Sequence, residues 1–211
     1  MLAVEFDRRL IPALREVVEG WPSVRVEQVD AMHADWREVL GPGPWRMVSN
    51  LPYNVSVPLV VGLVEDVRAI DRFLVMVQRE VAERFVAPPG DEAYGPVTLR
   101  IAYRADATIV RRVPASVFWP TPNVDSALVR LEPRPPRVEV DAVALFRVID
   151  VAFSERRKTM TNALRRLGLD ASASADVLAR SEVDPSARAE RLSLDAFASV
   201  ARATLEAGWR P

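Results

Sequence analysis

Five consecutive apolar residues, Phe73-Leu74-Val75-Met76-Val77, form a strand-like run that gives neither face of the strand a polar position. Alternate side chains of a strand point to opposite faces, so such a run needs cover on both. Helical spacing flanks it, over residues 58–67 with Pro58 at the start and over residues 80–86 behind. Upstream, Leu2-Ala3-Val4-Glu5-Phe6, residues 24–29 and residues 45–49 read as strands, and residues 10–18 read as a helix. Strands alternating with helices predict an α/β fold with a parallel sheet. Residues 108–113 and 124–131 are two further strands joined only by a proline-rich loop, which predicts an antiparallel pair at one sheet edge.

The segment Glu132-Pro133-Arg134-Pro135-Pro136-Arg137 has the composition of a stiff, charged linker. Beyond it, residues 143–153, 159–167, 175–180 and 194–205 all show helical periodicity. The expected organisation is therefore an α/β domain over residues 1–132 and a small helical domain over residues 133–211.

Composition removes several chemistries. The 211 residues include no cysteine, which excludes thiolate metal sites and cysteine nucleophiles. The single histidine, His33, leaves no histidine-rich metal site. No apolar run is long enough for a membrane span and no signal-peptide pattern opens the chain, so a cytoplasmic protein is expected. Of 28 basic residues only Lys158 is lysine, a bias that a GC-rich genome explains as readily as nucleic-acid binding does. Residues 1–132 hold 15 basic against 18 acidic residues and the remainder 13 against 11, so any nucleic-acid affinity must come from local patches.

Three features could carry chemistry. Glu5 and Asp30 stand at strand ends, where open α/β sheets bind ligands. A carboxylate there can accept from ribose hydroxyls or an exocyclic amine, although acids also simply cap strands and turns. Asn50-Leu51-Pro52-Tyr53 follows the strand at 45–49. It combines an amide acceptor, a backbone carbonyl ahead of a proline and a flat aromatic face, a set suited to an amine on a stacked base; a proline turn with a core aromatic is the alternative. Phe118-Trp119-Pro120-Thr121-Pro122 presents aromatics from a stiffened loop, either to a base or to the core.

Together these features resemble the ribosomal RNA adenine N6,N6-dimethyltransferases. The resemblance runs through Asn50-Leu51-Pro52-Tyr53-Asn54-Val55-Ser56, Val77-Gln78-Arg79-Glu80-Val81-Ala82-Glu83-Arg84, Pro88-Pro89-Gly90 with Tyr94-Gly95, and Val113-Pro114 to Phe118-Trp119-Pro120-Thr121-Pro122-Asn123-Val124-Asp125-Ser126. In the second domain it rests on Phe153-Ser154-Glu155-Arg156-Arg157-Lys158-Thr159-Met160 and Arg188-Ala189-Glu190-Arg191-Leu192-Ser193, which favour the small-subunit enzymes over the macrolide-resistance relatives.

The resemblance implies a class I, Rossmann-like methyltransferase sheet with an all-helical C-terminal domain. It implies use of S-adenosyl-L-methionine to dimethylate two adjacent adenosines near the 3′ end of small-subunit rRNA, in an immature subunit, with no metal and as a monomer. By the same carry-over Glu5 holds the cofactor ribose, and Asp30 with the backbone at Ala31 holds its adenine. Asn50, also beside the cofactor, and the Leu51 carbonyl ahead of Pro52 accept from the target amine. Tyr53 and Phe118 sandwich the target base, and Arg156, Arg157 and Lys158 face rRNA phosphate, or else form a solvated helix face. DNA adenine methyltransferases carry an acid in place of Asn50, which sets them apart.

The family places a strand, a glycine-rich loop and a helix ahead of the position of Glu5, and nothing in this chain corresponds to them. Gly41-Pro42-Gly43 lies between a helix and a strand instead. The expectation is a sheet lacking its central first strand, with weak cofactor binding. The alternative is a non-catalytic RNA-binding or ribosome-assembly remnant, or a gene fragment.

Overall fold

The computed structural model describes residues 1–155 and 158–211. In chain order the elements are β1 (Leu2–Glu5), α1 (Ile11–Val18), β2 (Arg25–Gln28), α2 (Trp36–Leu40), β3 (Trp45–Asn50), α3 (Ser56–Asp66), β4 (Ile70–Gln78), α4 (Arg79–Val86), α5 (Pro96–Arg104), β5 (Ala105–Val113) and β6 (Ser126–Pro133). Helices α6 (Ala142–Ser154), α7 (Met160–Arg166), α8 (Ala171–Arg180) and α9 (Leu194–Glu206) follow. The fold is Rossmann-like α/β with a helical C-terminal region.

The parallel sheet is divided. β1 and β2 pair in parallel as a two-stranded unit, Glu5 opposite Gln28, and no ladder joins them to β3. The larger sheet runs β3-β4-β6-β5, with β3 and β4 parallel and β6 antiparallel to both of its neighbours. The late strands are thus the antiparallel pair predicted, with β6 inserted beside β4 and β5 at the edge.

The apolar run at the middle of β4 is covered less evenly than its composition suggests. Phe73, Val75 and Val77 are fully buried, level with Leu131, Val129 and Ala127 of β6, on the face that α3, α4 and α5 cover. The opposite face is open at β3, where Val48 is 77% exposed opposite half-buried Leu74. Ala31, Trp36 and Leu40 pack against the core of the larger sheet, so the β2–α2 segment bridges the divided units. A cavity of about 410 Å³ lies at this seam, between Ala31 and Trp36 on one side and Pro58, Leu59 and Leu63 on the other.

The helical body shares its core with the α/β unit. Tyr94, Leu99 and Tyr103 pack with Leu145, Ile149, Met160, Leu178 and Phe197 in one cluster. The Tyr94 hydroxyl donates to the Leu192 carbonyl at 2.7 Å, and the Gly90 N–H donates to the Glu190 carbonyl at 2.7 Å. Gly90 has φ +92°, a backbone conformation that favours glycine, whereas the Arg191 guanidinium 2.9 Å from where a Cβ would stand could swing aside. The Pro88–Gly90 and Arg188–Ser193 motifs, a hundred residues apart, are therefore two sides of one junction.

Candidate active site

β3 ends in a turn built from its own backbone. The ladder to β4 continues one residue past Asn50, with the Leu51 N–H donating to the Met76 carbonyl at 3.1 Å. The Pro52 carbonyl accepts from the N–H groups of Val55 and Ser56, at 3.2 and 3.1 Å, and starts α3. The buried Ser56 hydroxyl donates to the Tyr53 carbonyl at 3.2 Å. Two acceptors remain without a hydrogen-bond partner among the described residues: the side-chain carbonyl of exposed Asn50 and the main-chain carbonyl of buried Leu51. Neighbouring acceptors at a strand end, beside an aromatic ring, are what an exocyclic amine on a stacked base requires.

Tyr53 is 39% exposed, and its hydroxyl lies 3.4 Å from Ser126 Oγ, where β6 begins. Because β6 is antiparallel to β4, its first residue sits level with Gln78 at the carboxyl end of β4. The loop before it carries half-buried Phe118, whose N–H donates to the Ala115 carbonyl at 3.1 Å. Asp125 fixes that loop by accepting from the Ala115 N–H at 3.0 Å, while its own carbonyl accepts from the Arg79 N–H at 2.9 Å. Ser56, Asp125 and Ser126 stand in the motif strings that carry the resemblance, but the sequence assigns them no role. The string Val124-Asp125-Ser126 marked their region, but only the fold brings Ser126 against Tyr53.

The two acids lie on the smaller unit. Glu5 ends β1, and its carboxylate accepts from the Asp7 N–H at 2.7 Å. Asp30 follows β2 and accepts from the Met32 N–H at 2.9 Å, with His33 Nδ1 also at 2.9 Å. The His33 contact, and then the Met32 hydrogen bond, hold the Asp30 carboxyl below its ordinary range, so it is ionised at neutral pH. The Ala31 carbonyl accepts from the Trp36 indole N–H at 3.1 Å, which fixes the backbone beside Asp30. Glu5, Asp30 and Asn50 share the carboxyl edge of their strands, but no strand pairing sets the acids in register with Asn50.

Lys158 is exposed, with its N–H donating to the Glu155 carbonyl at 2.8 Å; Arg156 and Arg157 lie outside the described residues. Among the described residues no group of three or more histidines, cysteines or acids is placed to hold a metal ion, and no helix is long and apolar enough to cross a membrane.

A Rossmann-like sheet with ligand-binding candidates at its carboxyl edge is the architecture of a nucleotide- or cofactor-binding α/β protein. The family model for ribosomal RNA adenine dimethylases matches residues 1–204, and the chain belongs to that family. It is 40% identical to the ribosomal RNA small subunit methyltransferase A of Pelotomaculum thermopropionicum, over 99% of this chain and 75% of that protein. It is 42% identical to the protein of the same name from Thermobifida fusca, over 94% of this chain and 71% of the relative. Among solved structures, the fold matches a dimethyladenosine transferase from Plasmodium falciparum with TM-score 0.84 at 23% identity, covering 99% of this chain and 82% of that one. The 23S rRNA methyltransferase ErmE matches with TM-score 0.70 at 21% identity, covering 96% and 80%.

The methyl donor of this family is S-adenosyl-L-methionine. The residues present fit its adenosine half, since carboxylates at the ends of adjacent parallel strands can take ribose hydroxyls and an adenine amine. The Gly41-Pro42-Gly43 segment lies at the amino end of β3, away from Asn50, where the backbone of Gly43 packs against that of Ala69.

Proposed function

We propose that the chain acts in N6,N6-dimethylation of two adjacent adenosines near the 3′ end of small-subunit rRNA, in an immature subunit and in the cytoplasm, as a monomer. Support comes from the names of the relatives at about 40% identity and, above all, from the unpartnered Asn50 and Leu51 acceptors beside Tyr53. Asn50 and the Leu51 carbonyl take the N–H groups of the target amine. Tyr53 and Phe118 hold the base between them. Glu5 takes the cofactor ribose, and Asp30 with the Ala31 backbone takes its adenine. Arg156, Arg157 and Lys158 contact rRNA phosphate.

The residue types suit the chemistry. An adenine amine is a poor nucleophile because its lone pair is delocalised into the ring. Neutral acceptors on its hydrogens favour a pyramidal nitrogen and stabilise the positive charge that develops there. Stacking between two rings fixes the direction of approach and removes orientational entropy from the barrier. S-adenosyl-L-methionine, when bound, supplies an electrophilic methyl group. No histidine or cysteine is needed, since an alkylated aniline-type nitrogen loses its proton to water readily.

Deletion of the gene carrying this chain tests the reading. Primer extension on small-subunit rRNA is expected to lose the stops at two adjacent dimethyladenosines. Stops that persist undiminished would overturn it.

A further inference from the structure

Beside the proposed base site stands a residue that this reading leaves unused. Trp119 is 96% exposed, directly after Phe118. Its loop is not slack. Pro114, Pro120 and Pro122 restrict the backbone, Asp125 ties down Ala115 at 3.0 Å, and the Val117 N–H donates to the Pro114 carbonyl at 3.2 Å. Val117, 62% exposed, and Val124, 43% exposed, are further solvated apolar residues of the same loop. At the foot of the loop, at the end of β5, Arg111 and Arg112 are exposed and make no ion pair among the described residues.

A rigidly presented, solvated indole is unfavourable in the free protein and suits a ligand with a flat aromatic face. Exposed cations at the foot of the same loop favour a polyanion. Bases stacked on aromatics with phosphates on arginine is the pattern of single-stranded nucleic-acid binding. We infer that Trp119 is a second stacking platform, which takes an unpaired nucleobase flanking the target adenosine, while the charge of Arg111 and Arg112, one on each face of β5, draws the adjoining phosphates. This rests on the reading of Tyr53 and Phe118 as the target-base clamp and adds a neighbouring subsite to it.

The probe is a fluorescently labelled single-stranded oligoadenylate, titrated with the 211-residue chain and followed by anisotropy at several salt concentrations. W119A is expected to bind about 5- to 100-fold more weakly at every salt concentration, and W119F to recover most of the loss, since stacking depends on the ring and not on charge. R111A and R112A are expected each to lower the salt slope by about 0.7. Trp119 is solvated, so W119A should melt with the wild type, and that comparison checks the fold. W119A binding within about twofold of wild type would overturn the inference, as would no binding by the wild-type chain. A wild-type dimer that W119A converts to monomer would also overturn it, by assigning the loop to protein contact. Y53A separates the two readings: if W119A binds normally and Y53A does not, the clamp stands and the flanking site falls. If Y53A binds normally and W119A does not, the reverse holds.

Discussion

The hydroxyl of Tyr53 lies 3.4 Å from that of Ser126, and this contact joins the turn after β3 to the first residue of β6. Ser126 is buried and has no other side-chain hydrogen-bond partner among the described residues, so its hydroxyl sets where the tyrosine ring can stand. Replacing Ser126 with Ala is expected to cost about 0.5–1.5 kcal/mol in positioning, read as a roughly two- to tenfold loss of methyl transfer. Steady-state kinetics on undermethylated small subunits measure this, with Ser126→Thr, which keeps the hydroxyl, recovering part of the rate.

Tyr94 at the junction with the helical body sets an alkaline limit on stability. Burial pushes its hydroxyl up to about 12 from 10.0. A folded-state value above the unfolded one contributes stability that is complete below pH 10 and lost as pH rises towards 12. Tyr94→Phe strips the Leu192 carbonyl of its donor and should cost about 1 kcal/mol at neutral pH. The wild type should then lose about 2–3 kcal/mol more than the variant between pH 10 and 12, so that the two curves converge or cross. Chemical denaturation across that range provides the comparison.

Arg100 ties three helices together. Its guanidinium reaches Glu65 of α3 at 3.4 Å and Asp150 of α6 at 3.0 Å, and its Cζ sits 4.4 Å from the centre of the Phe146 ring. Burial raises the Glu65 carboxyl, and Arg100 opposes that rise. Arg100→Ala is expected to cost about 2 kcal/mol at pH 7, below the figure for fully buried pairs because all three groups keep some solvent contact. A raised folded value means that ionised Glu65 is the unfavourable form. The cost should therefore shrink as pH falls and Glu65 takes up its proton in the folded protein, with and without Arg100. Urea titrations at pH 7 and pH 4.5, or thereabouts, decide this.

Glu5 and Asp30 are read as holding the adenosine half of the cofactor, so its affinity for the 211-residue chain should rest chiefly on that half. Isothermal calorimetry is expected to give a dissociation constant weaker than about 0.1 mM for S-adenosyl-L-methionine, with adenosine binding about equally well. Asp30→Ala should remove binding of both. A clear preference for S-adenosyl-L-methionine over adenosine would mean that the chain grips the methionine end as well.

Local signals in the sequence were sufficient for the parts of the fold that one segment decides. The apolar run in β4, the turn at Asn50–Tyr53 and the pair β5 and β6 all lie where composition and spacing place them. Helix α5 left no such signal. Leu99 and Tyr103 face the helical core while Ile101 faces the sheet core, so Val97, Leu99, Ile101 and Tyr103 fall at a spacing of two, which resembles a strand as much as a helix. The division of the sheet, the meeting of Gly90 with Glu190 and the meeting of Tyr53 with Ser126 depend on pairings between distant segments, which no local period encodes. The open face at Val48 is likewise a property of what packs on β3 and not of β3 itself.

Asn50 carries the central claim. Its side-chain acceptor matters when charge develops on the target nitrogen, so Asn50→Ala should cost roughly 2.7–4 kcal/mol in the transition state, on the order of a hundred- to thousandfold in rate, with RNA affinity nearly unchanged. The most direct measurement is mass spectrometry of nucleosides from small-subunit rRNA in a strain deleted for the gene. The gene is restored either as wild type or with Asn50→Ala, at matched protein levels, and rRNA is sampled soon after induction. The wild-type gene should bring back N6,N6-dimethyladenosine while the Asn50→Ala gene leaves it near the level of the deletion. Dimethyladenosine returning equally fast with both genes would contradict the account.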